Sequence, residues 1–363
     1  MRGVAIILVI LTHSITQNYV RVPYEIEVWQ AICTGRLGVT LFFILSGFLI
    51  TTLLLKELES NGRINLNNFY WRRGWRILPA YATFVVVLGF LSASQLVTLG
   101  DNDLWHMLTL TSNLGVMSWY GGHTWSTSTQ EQFYLLWPAA ILLLGRRKGL
   151  YAALGIMLVL PLTRFCLWMI TSDFIEATPY YPYTIVDAIA TGAALACARP
   201  WLQQQTFYQR LLSSRLFPLV PTLVILGCLL GDRPRINAVF GIGMRHIGIA
   251  LCLDWAMTNY KGRVGRFLNS RPLVFVGHIS FSVYLWQQLF ISPHPAARAP
   301  YNLIALGLVA LASYYWIEQP AIAAGRKLEN WFAVRGRGVG SDEWVRQSVR
   351  PLFTEQNIPA DTL

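Results

Sequence analysis

The chain has 363 residues, of which 54% are hydrophobic and 13% are charged. Soluble domains carry about 25% charged residues, so this composition excludes an ordinary soluble protein and indicates a polytopic membrane protein. The net charge of +11 does not indicate nucleic-acid binding, because the basic residues lie in short connections between apolar segments. The five cysteines are scattered, so we expect neither a disulfide framework nor a metal site.

Apolar segments long enough to cross a bilayer recur along the chain. If Arg2 is cytoplasmic, the cytoplasmic connections and ends hold twenty-two Lys and Arg residues, and the external connections hold five. Because cytoplasmic loops are enriched in basic residues, this pattern predicts an all-α transmembrane bundle of about ten spans with both termini in the cytoplasm. The predicted spans are 3–19, 38–55, 77–97, 126–145, 150–170, 183–198, 216–231, 236–258, 273–291 and 302–321.

The chain divides into a transmembrane domain, residues 1–321, and a polar tail, residues 322–363, for which we expect little fixed structure in the cytoplasm. The apolar segment 104–117 is too short to cross a bilayer and is a candidate re-entrant segment. Five ionisable residues inside predicted spans are expected to pair across helices or to line a cavity. They are Arg164, Asp187, Arg245, His246 and Asp254.

Arg2 and His13 lie eleven positions apart in the first span. Eleven steps of about 100° make about three turns, so the two side chains share a helix face and lie about 16 Å apart along the axis. Ionisable groups are costly at mid-membrane and commonly mark functional sites. His13 is therefore a candidate site residue, and the alternative is an imidazole that only hydrogen-bonds a neighbouring helix.

Ser46 and Gly47 place a hydroxyl and a glycine in the middle of the second span. Small residues at this depth either pack helices closely or line a substrate path. Both interpretations stay open for this pair.

Arg72, Arg73 and Arg76 lie in the most basic connection, interleaved with tryptophans and followed by Pro79. In a helix that continues to Pro79, Arg73 and Arg76 are three residues apart and face the same way. Two adjacent guanidinium groups suit a phosphate or diphosphate. The alternative is that the charges set topology or contact anionic lipid, which does not explain the tryptophans or the spacing.

Residues 123–134, at the start of the fourth span, combine an imidazole, several hydroxyl groups and the carboxylate of Glu131. Glu131 is a candidate proton acceptor, or a group that orients a histidine. The alternative is a helix cap within an interfacial aromatic belt.

Together these stretches resemble the acyltransferase-3 family of integral membrane O-acyltransferases, in the form without a fused esterase-like domain. The resemblance extends from Arg2 to residues 317–320, and the ordered set of motifs is more specific than any one of them. It implies a multi-pass protein of the bacterial cytoplasmic (inner) membrane that moves an acyl group, most often acetyl, onto an acceptor. The motifs are Arg2 with His13, residues 43–48, Arg73 with Arg76, residues 125–134 and residues 280–285.

The resemblance also implies roles for individual residues. His13 is expected to act as the base or to carry the acyl group, with Arg2 as its partner and Glu131 in the catalytic centre. No metal and no permanently bound cofactor is implied. Residues expected along the substrate path are Ser46, Trp125, Ser126, Tyr134 and Tyr284.

The expected co-substrate is acyl-CoA, most often acetyl-CoA, whose phosphates are expected to bind Arg73 and Arg76, with Arg72 beside them. Coenzyme A is anionic and cytoplasmic, which agrees with the side of the membrane to which the charge pattern assigns these arginines. The expected acceptor is a glycan or lipid-linked carbohydrate, such as lipopolysaccharide, exopolysaccharide or peptidoglycan. Membrane lipid is a further partner, and a separate extracytoplasmic transferase could complete delivery.

The resemblance departs at Gln287, where family members often have a histidine. A glutamine side chain cannot take a proton at neutral pH, so we do not expect the ninth span to supply an acid or base. Two other functions remain open at this point. One is acylation of a small lipophilic acceptor such as a macrolide, and the other is secondary transport, which buried Arg, Asp and His residues would also suit.

Overall fold

The computed structural model describes residues 1–17, 35–170, 185–230, 233, 236–293 and 299–335. Within these ranges the chain forms helices joined by turns, without a strand. Two π-helical turns, Asn237–Gly241 and Tyr314–Glu318, lead directly into α10 and α15. The helices are α1 (Arg2–Thr16), α2 (Gly35–Asn61), α3 (Leu66–Ala93), α4 (Asp103–Leu108), α5 (Trp119–Gly122), α6 (Thr124–Ile170), α7 (Asp187–Leu202), α8 (Thr206–Ser213), α9 (Val220–Leu229), α10 (Ile242–Thr258), α11 (Arg263–Leu268), α12 (Arg271–His278), α13 (Ser280–Phe290), α14 (Tyr301–Ser313) and α15 (Gln319–Arg335).

The helical fold is the one expected, but the count of about ten spans is not confirmed. Among the described residues, four helical segments are long and apolar enough to cross a bilayer, and six if each of two bent helix pairs is one span. The predicted fourth and fifth spans, 126–145 and 150–170, are two helical segments that meet at a kink at Gly145 (φ 65°, ψ −171°), and α6 denotes both. Parts of the predicted first and sixth spans lie outside the described residues. The four segments are Arg36–Asn61, Leu66–Ala93, Trp119–Leu167 and Asn237–Thr258.

The segment predicted as re-entrant, 104–117, packs into the bundle as the short helix α4 followed by turns. The Ser112 amide donates to Ser128 Oγ at 3.3 Å, and Asn113 Nδ2 donates to Gln132 Oε1 at 2.9 Å. Because Ser128 and Gln132 belong to α6, the segment is bonded to the N-terminal half of that helix.

The helices α2 and α7 cross at a very close approach. A Cβ atom built on Gly47 would lie 1.9 Å from the carbonyl oxygen of Ile189, and one built on Gly192 would lie 2.0 Å from that of Ile44. No side chain fits at either position, so Gly47 serves close helix packing. The crossing lies in the main apolar core, which α1, α2, α6 and α7 share.

Four of the five ionisable residues inside the predicted spans contact a group of opposite or titratable charge on another helix, whereas Arg245 donates to the Gly227 carbonyl oxygen at 3.0 Å. Arg164 Nη2 lies 2.8 Å from Asp187 Oδ2, joining α6 to α7, and His246 Nδ1 lies 3.6 Å from the same oxygen. Arg199 Nε lies 2.5 Å from Asp254 Oδ1. The contacts of Arg164 and Arg199 pair buried carboxylates with cations, which offsets the cost of burying them.

The tail begins as a helix, contrary to the expectation of little fixed structure from residue 322 onward. Helix α15 extends through residue 335 and packs along α3, where Trp71 Nε1 donates to the Gly325 carbonyl oxygen at 3.0 Å. A Cβ atom on Gly325 would lie 2.5 Å from Trp75 Cγ. Trp71 and Trp75, on either side of Arg72 and Arg73, therefore anchor α15. Residues 336–363 lie outside the described part of the chain.

Candidate active site

Three arginines from two helices lie together in the bundle. The first residue of α1 is Arg2, and α3 contributes Arg73 and Arg76 on one face. The three guanidinium groups interact electrostatically with one another. Arg2 and Arg76 also interact with the carboxylate of Glu318, which belongs to the π-helical turn before α15. We call Arg2, Arg73 and Arg76 the arginine cluster.

Arg73 has its charge compensated within the protein. Its Nε lies 2.9 Å from Glu131 Oε2, and its Nη2 bonds the other carboxylate oxygen. Its guanidinium carbon also lies 3.5 Å from the centroid of the Tyr134 ring, within the range of a cation–π interaction. Arg73 is therefore held by two side chains of α6.

Arg2 and Arg76 differ from Arg73 in this respect. Within the described ranges, neither guanidinium has a hydrogen bond or an ion pair. Arg2 is half-buried, and Arg76 is exposed although it lies near Arg2 and Glu318. Glu318 is itself buried and accepts a hydrogen bond from Ser282 Oγ at 3.0 Å. Two adjacent cations without hydrogen-bond partners form a site suited to an anion such as a phosphate.

Arg72 does not join the arginine cluster. Its Nε and Nη2 bond the carboxylate of Glu329 on α15 at 2.6–3.0 Å, and 67% of its side chain is exposed. The structure therefore does not bring Arg72 into the predicted phosphate site. It contacts α15 instead, since consecutive residues of a helix point about 100° apart.

His13 contacts Gln287 on α13, a residue that we did not expect to supply an acid or base. His13 Nδ1 lies 3.0 Å from the side-chain oxygen of Gln287. The indole ring of Trp119 packs against the imidazole edge to face, with ring centroids 5.9 Å apart. Arg2, the predicted partner of His13, lies with the arginine cluster instead. Helix α1 thus carries an imidazole near one end and a cation of the arginine cluster at the other, about 16 Å along the axis.

The residues predicted along the substrate path form two hydrogen-bonded groups on α6. In the first, Gln130 Nε2 donates to Tyr134 Oη at 2.8 Å and to the Ser46 hydroxyl, which connects the neighbourhood of Arg73 to α2. In the second, Ser126 Oγ lies 2.6 Å from Tyr284 Oη. Trp125 is adjacent and packs against α2.

A cavity of about 330 Å³ lies between α3, the turn after α4 and α6. Its walls include Leu78 and Leu135, both half or more exposed, and the Arg73–Glu131 pair. His13 is not among its lining residues. The cavity therefore adjoins the arginine cluster rather than the imidazole.

Sequence reasoning missed three contributors to this region. Glu318 could have been found, because a carboxylate inside the predicted span 302–321 is expected to be functional or paired. Gln287 was set aside because it cannot titrate, although a neutral amide can still orient an imidazole. Trp119 carried no signal, since its contact with His13 joins residues more than one hundred positions apart.

The fold and these contacts define a membrane-embedded helical protein with an arginine cluster and a histidine at opposite ends of one helix. A family model described as an acyltransferase domain matches residues 1–317. The chain therefore belongs to the acyltransferase-3 family, as the resemblance implied.

O-acetyltransferase OatA of Staphylococcus aureus, in strains NCTC 8325 and COL, is 26% identical to this chain over 334 residues. The alignment covers 82% of this chain and 54% of the relative. The chain thus spans about half the length of the curated relatives it matches. No solved structure matches it.

Proposed function

We propose that this protein is a membrane O-acyltransferase that moves an acyl group, most simply acetyl, from cytoplasmic acyl-CoA to a hydroxyl of an extracytoplasmic glycan. Lipopolysaccharide, exopolysaccharide and peptidoglycan are the acceptor classes proposed. The protein would lie in the cytoplasmic membrane of a bacterium with both termini inside. Family membership and the O-acetyltransferase relatives support the reaction class.

One observation carries the proposal. Arg2, at the start of α1, and Arg76, on α3, lie near each other without hydrogen-bond partners in the described part of the chain, and His13 follows Arg2 by about three turns of α1. The axial distance of about 16 Å is comparable to the extended pantetheine arm that separates the phosphates of coenzyme A from its thioester. An acyl-CoA whose phosphates bind Arg2 and Arg76 could therefore present its carbonyl carbon near His13.

His13 then has two possible roles. As a general base, its free nitrogen accepts the acceptor's hydroxyl proton while the hydroxyl oxygen attacks the thioester carbonyl, and the proton passes to the departing sulfur. As a nucleophile, the same nitrogen takes the acyl group first and yields it to the hydroxyl afterwards. Glu131 would act by holding Arg73 in place beside Arg2 and Arg76.

Removal of the imidazole tests the proposal. Purified protein in lipid nanodiscs is given acetyl-CoA and an acceptor panel of lipopolysaccharide, exopolysaccharide and peptidoglycan fragments, and transfer is followed by free thiol release and mass spectrometry of the glycans. We expect His13→Ala to abolish transfer at an unchanged folded yield, whereas His278→Ala, at an exposed histidine, should retain it. Wild-type turnover by His13→Ala would remove His13 from the mechanism.

A small lipophilic acceptor such as a macrolide is the second candidate. It is favoured by the cavity of about 330 Å³, whose apolar wall includes the exposed side chains of Leu78 and Leu135. Transfer to a macrolide, with none to the glycan panel, would select this acceptor. Solute uptake without any release of coenzyme A would favour secondary transport, which family membership does not support.

The acceptor step could involve a separate protein. The relatives are about twice as long as the part that aligns with this chain. We propose that a separate extracytoplasmic transferase completes delivery to the glycan if the chain alone acylates no member of the panel. Mass spectrometry of surface glycans from cells with and without the gene would identify the natural acceptor.

A further inference from the structure

Two consecutive glutamines on α13 each contact one histidine. The side-chain oxygen of Gln287 lies 3.0 Å from Nδ1 of His13, and that of Gln288 lies 2.7 Å from Nδ1 of His123. Gln288 also accepts the backbone N–H of His123 at 2.9 Å, which identifies the acceptor atom as its oxygen. The Gln288 contact therefore fastens the junction of α5 and α6 to α13, while the Gln287 contact reaches α1.

Gln287 is fully buried, and its side chain is directed to His13. The residue has no exposed surface, and its amide nitrogen has no hydrogen-bond partner among the residues that the structure describes. Within the described residues, the bond to His13 is the single side-chain hydrogen bond of Gln287. An amide buried with an unmet donor is unfavourable, and a leucine of similar size would avoid that cost. Packing therefore does not explain a glutamine at this position.

The direction of this hydrogen bond determines where the imidazole hydrogen lies. In the orientation of the Gln287 amide in the structure, its oxygen faces Nδ1 of His13. An amide oxygen accepts and cannot donate, so in this orientation Nδ1 carries the hydrogen and Nε2 keeps its lone pair. Trp119 limits rotation of the ring from another side, because its indole N–H is bonded at 3.1 Å to the carbonyl oxygens of Gln288 and Ile291. Gln287 lies in the C-terminal half of α13, and Trp119 is bonded to the C-terminal end of the same helix, so this part of α13 positions two side chains that contact the imidazole.

We propose that Gln287 is a positioning residue for the acyl transfer, holding His13 in the Nδ1–H form with Nε2 directed to the substrates. This inference rests on the proposed role of His13. The acceptor's proton moves to Nε2 as its oxygen bonds the thioester carbonyl carbon, and the same proton leaves with the sulfur when the carbon–sulfur bond breaks. Because a neutral amide takes no proton from Nδ1, the imidazole is the group that stores the proton between the two steps.

Nitrogen NMR tests the hydrogen position directly and needs no acceptor. The protein is labelled with ¹⁵N-histidine in lipid nanodiscs, and the signals of His13 among the six histidines are identified by their loss in His13→Ala. We expect a protonated Nδ1 and an unprotonated Nε2 in the wild type. Gln287→Leu should mix the two tautomers, whereas Gln287→Glu, which keeps an acceptor oxygen, should retain the wild-type pattern. Unchanged His13 signals in Gln287→Leu would overturn the proposal.

Kinetics with acetyl-CoA and the accepting glycan then separate positioning from folding. Gln287→Leu should lower kcat about tenfold or more and leave KM for acetyl-CoA unchanged, because the arginine cluster lies at the other end of α1. Gln287→Glu should recover most of kcat. Trp286→Phe is the packing control, since it changes the adjacent buried residue of α13. A tautomer change in Gln287→Leu with wild-type kcat would instead overturn the role of His13 as base.

Discussion

Glu131 and Arg73 form a two-point ion pair that joins α6 to the arginine-bearing segment of α3. Only 16% of the Arg73 side chain and 17% of the Glu131 side chain are exposed, so the two charges interact with little screening by solvent. The pair compensates Arg73 inside the protein, whereas Arg2 and Arg76 have no hydrogen-bond partner in the described part of the chain. We therefore propose that Glu131 orders the arginine cluster rather than exchanging protons with substrate.

A double-mutant cycle measures the strength of this pair. We expect Arg73→Ala and Glu131→Ala to destabilise the protein non-additively, with a coupling free energy of about 1–3 kcal/mol, because each single change leaves the other charge uncompensated. Thermal unfolding in detergent gives the four stabilities. The matched control is the more exposed pair Arg146–Glu59, whose coupling should be at most about 1 kcal/mol. Equal coupling in both pairs would contradict the structural role of Glu131.

The difference between neighbouring arginines gives a second prediction. Arg76→Ala should weaken binding of coenzyme A about tenfold or more, since it removes a charge-assisted contact to phosphate. Arg72→Ala should leave binding unchanged, because that guanidinium is bonded to Glu329. Isothermal titration of nanodisc-embedded protein with coenzyme A distinguishes the two. Similar losses in both variants would indicate a general surface-charge effect.

Glu318 gives a third prediction, in which a substitution strengthens rather than weakens the binding of coenzyme A. Its carboxylate lies near Arg2 and Arg76, so it repels the phosphate that these cations attract. Glu318→Gln keeps the size of the side chain and an oxygen to accept from Ser282. We expect it to tighten coenzyme A binding by about threefold to tenfold through the lost repulsion. Glu329→Gln, outside the cluster, is the control and should have no effect. Weaker binding in Glu318→Gln would mean that Glu318 holds the arginines in position.

Local reasoning from the sequence predicted what depends on helical geometry. One helix carries Arg2 and His13, and Arg73 and Arg76 lie on one face of another, because a regular 3.6-residue turn fixes both relationships. The apolar composition of the chain likewise predicted an all-α membrane protein. The count of about ten spans is not confirmed, because hydropathy alone does not show where an apolar segment bends, as in the 70° bend between Arg271–His278 and Ser280–Phe290.

Contacts between distant parts of the chain could not be predicted in this way. Glu131 was a candidate base, but which cation it pairs with depends on how α3 and α6 pack. Gln287 lies 274 positions from His13, and a single sequence holds no signal that joins them. The same limit applied to Arg72, since its partner on α15 lies in a segment for which we predicted little structure.

The crossing of α2 and α7 gives the last prediction. A methyl group on Gly47 or Gly192 would lie about 2 Å from a main-chain carbonyl oxygen of the other helix, and only a shift of one whole helix could relieve that overlap. We expect Gly47→Ala and Gly192→Ala each to cost about 3 kcal/mol or more of stability. Gly155→Ala is the matched control, because nothing lies within 4 Å of a Cβ atom at that helical position. It should be neutral or stabilising by about 0.5–1 kcal/mol. Thermal unfolding and the yield of folded protein provide the measurement.

Because Ser46, bonded to Gln130, precedes Gly47 on α2, a shift of this helix should also disturb the network beside Arg73. We therefore expect acetyl transfer to fall in Gly47→Ala even in protein that remains folded, and full activity in that fraction would show that the α2–α7 spacing does not control the site.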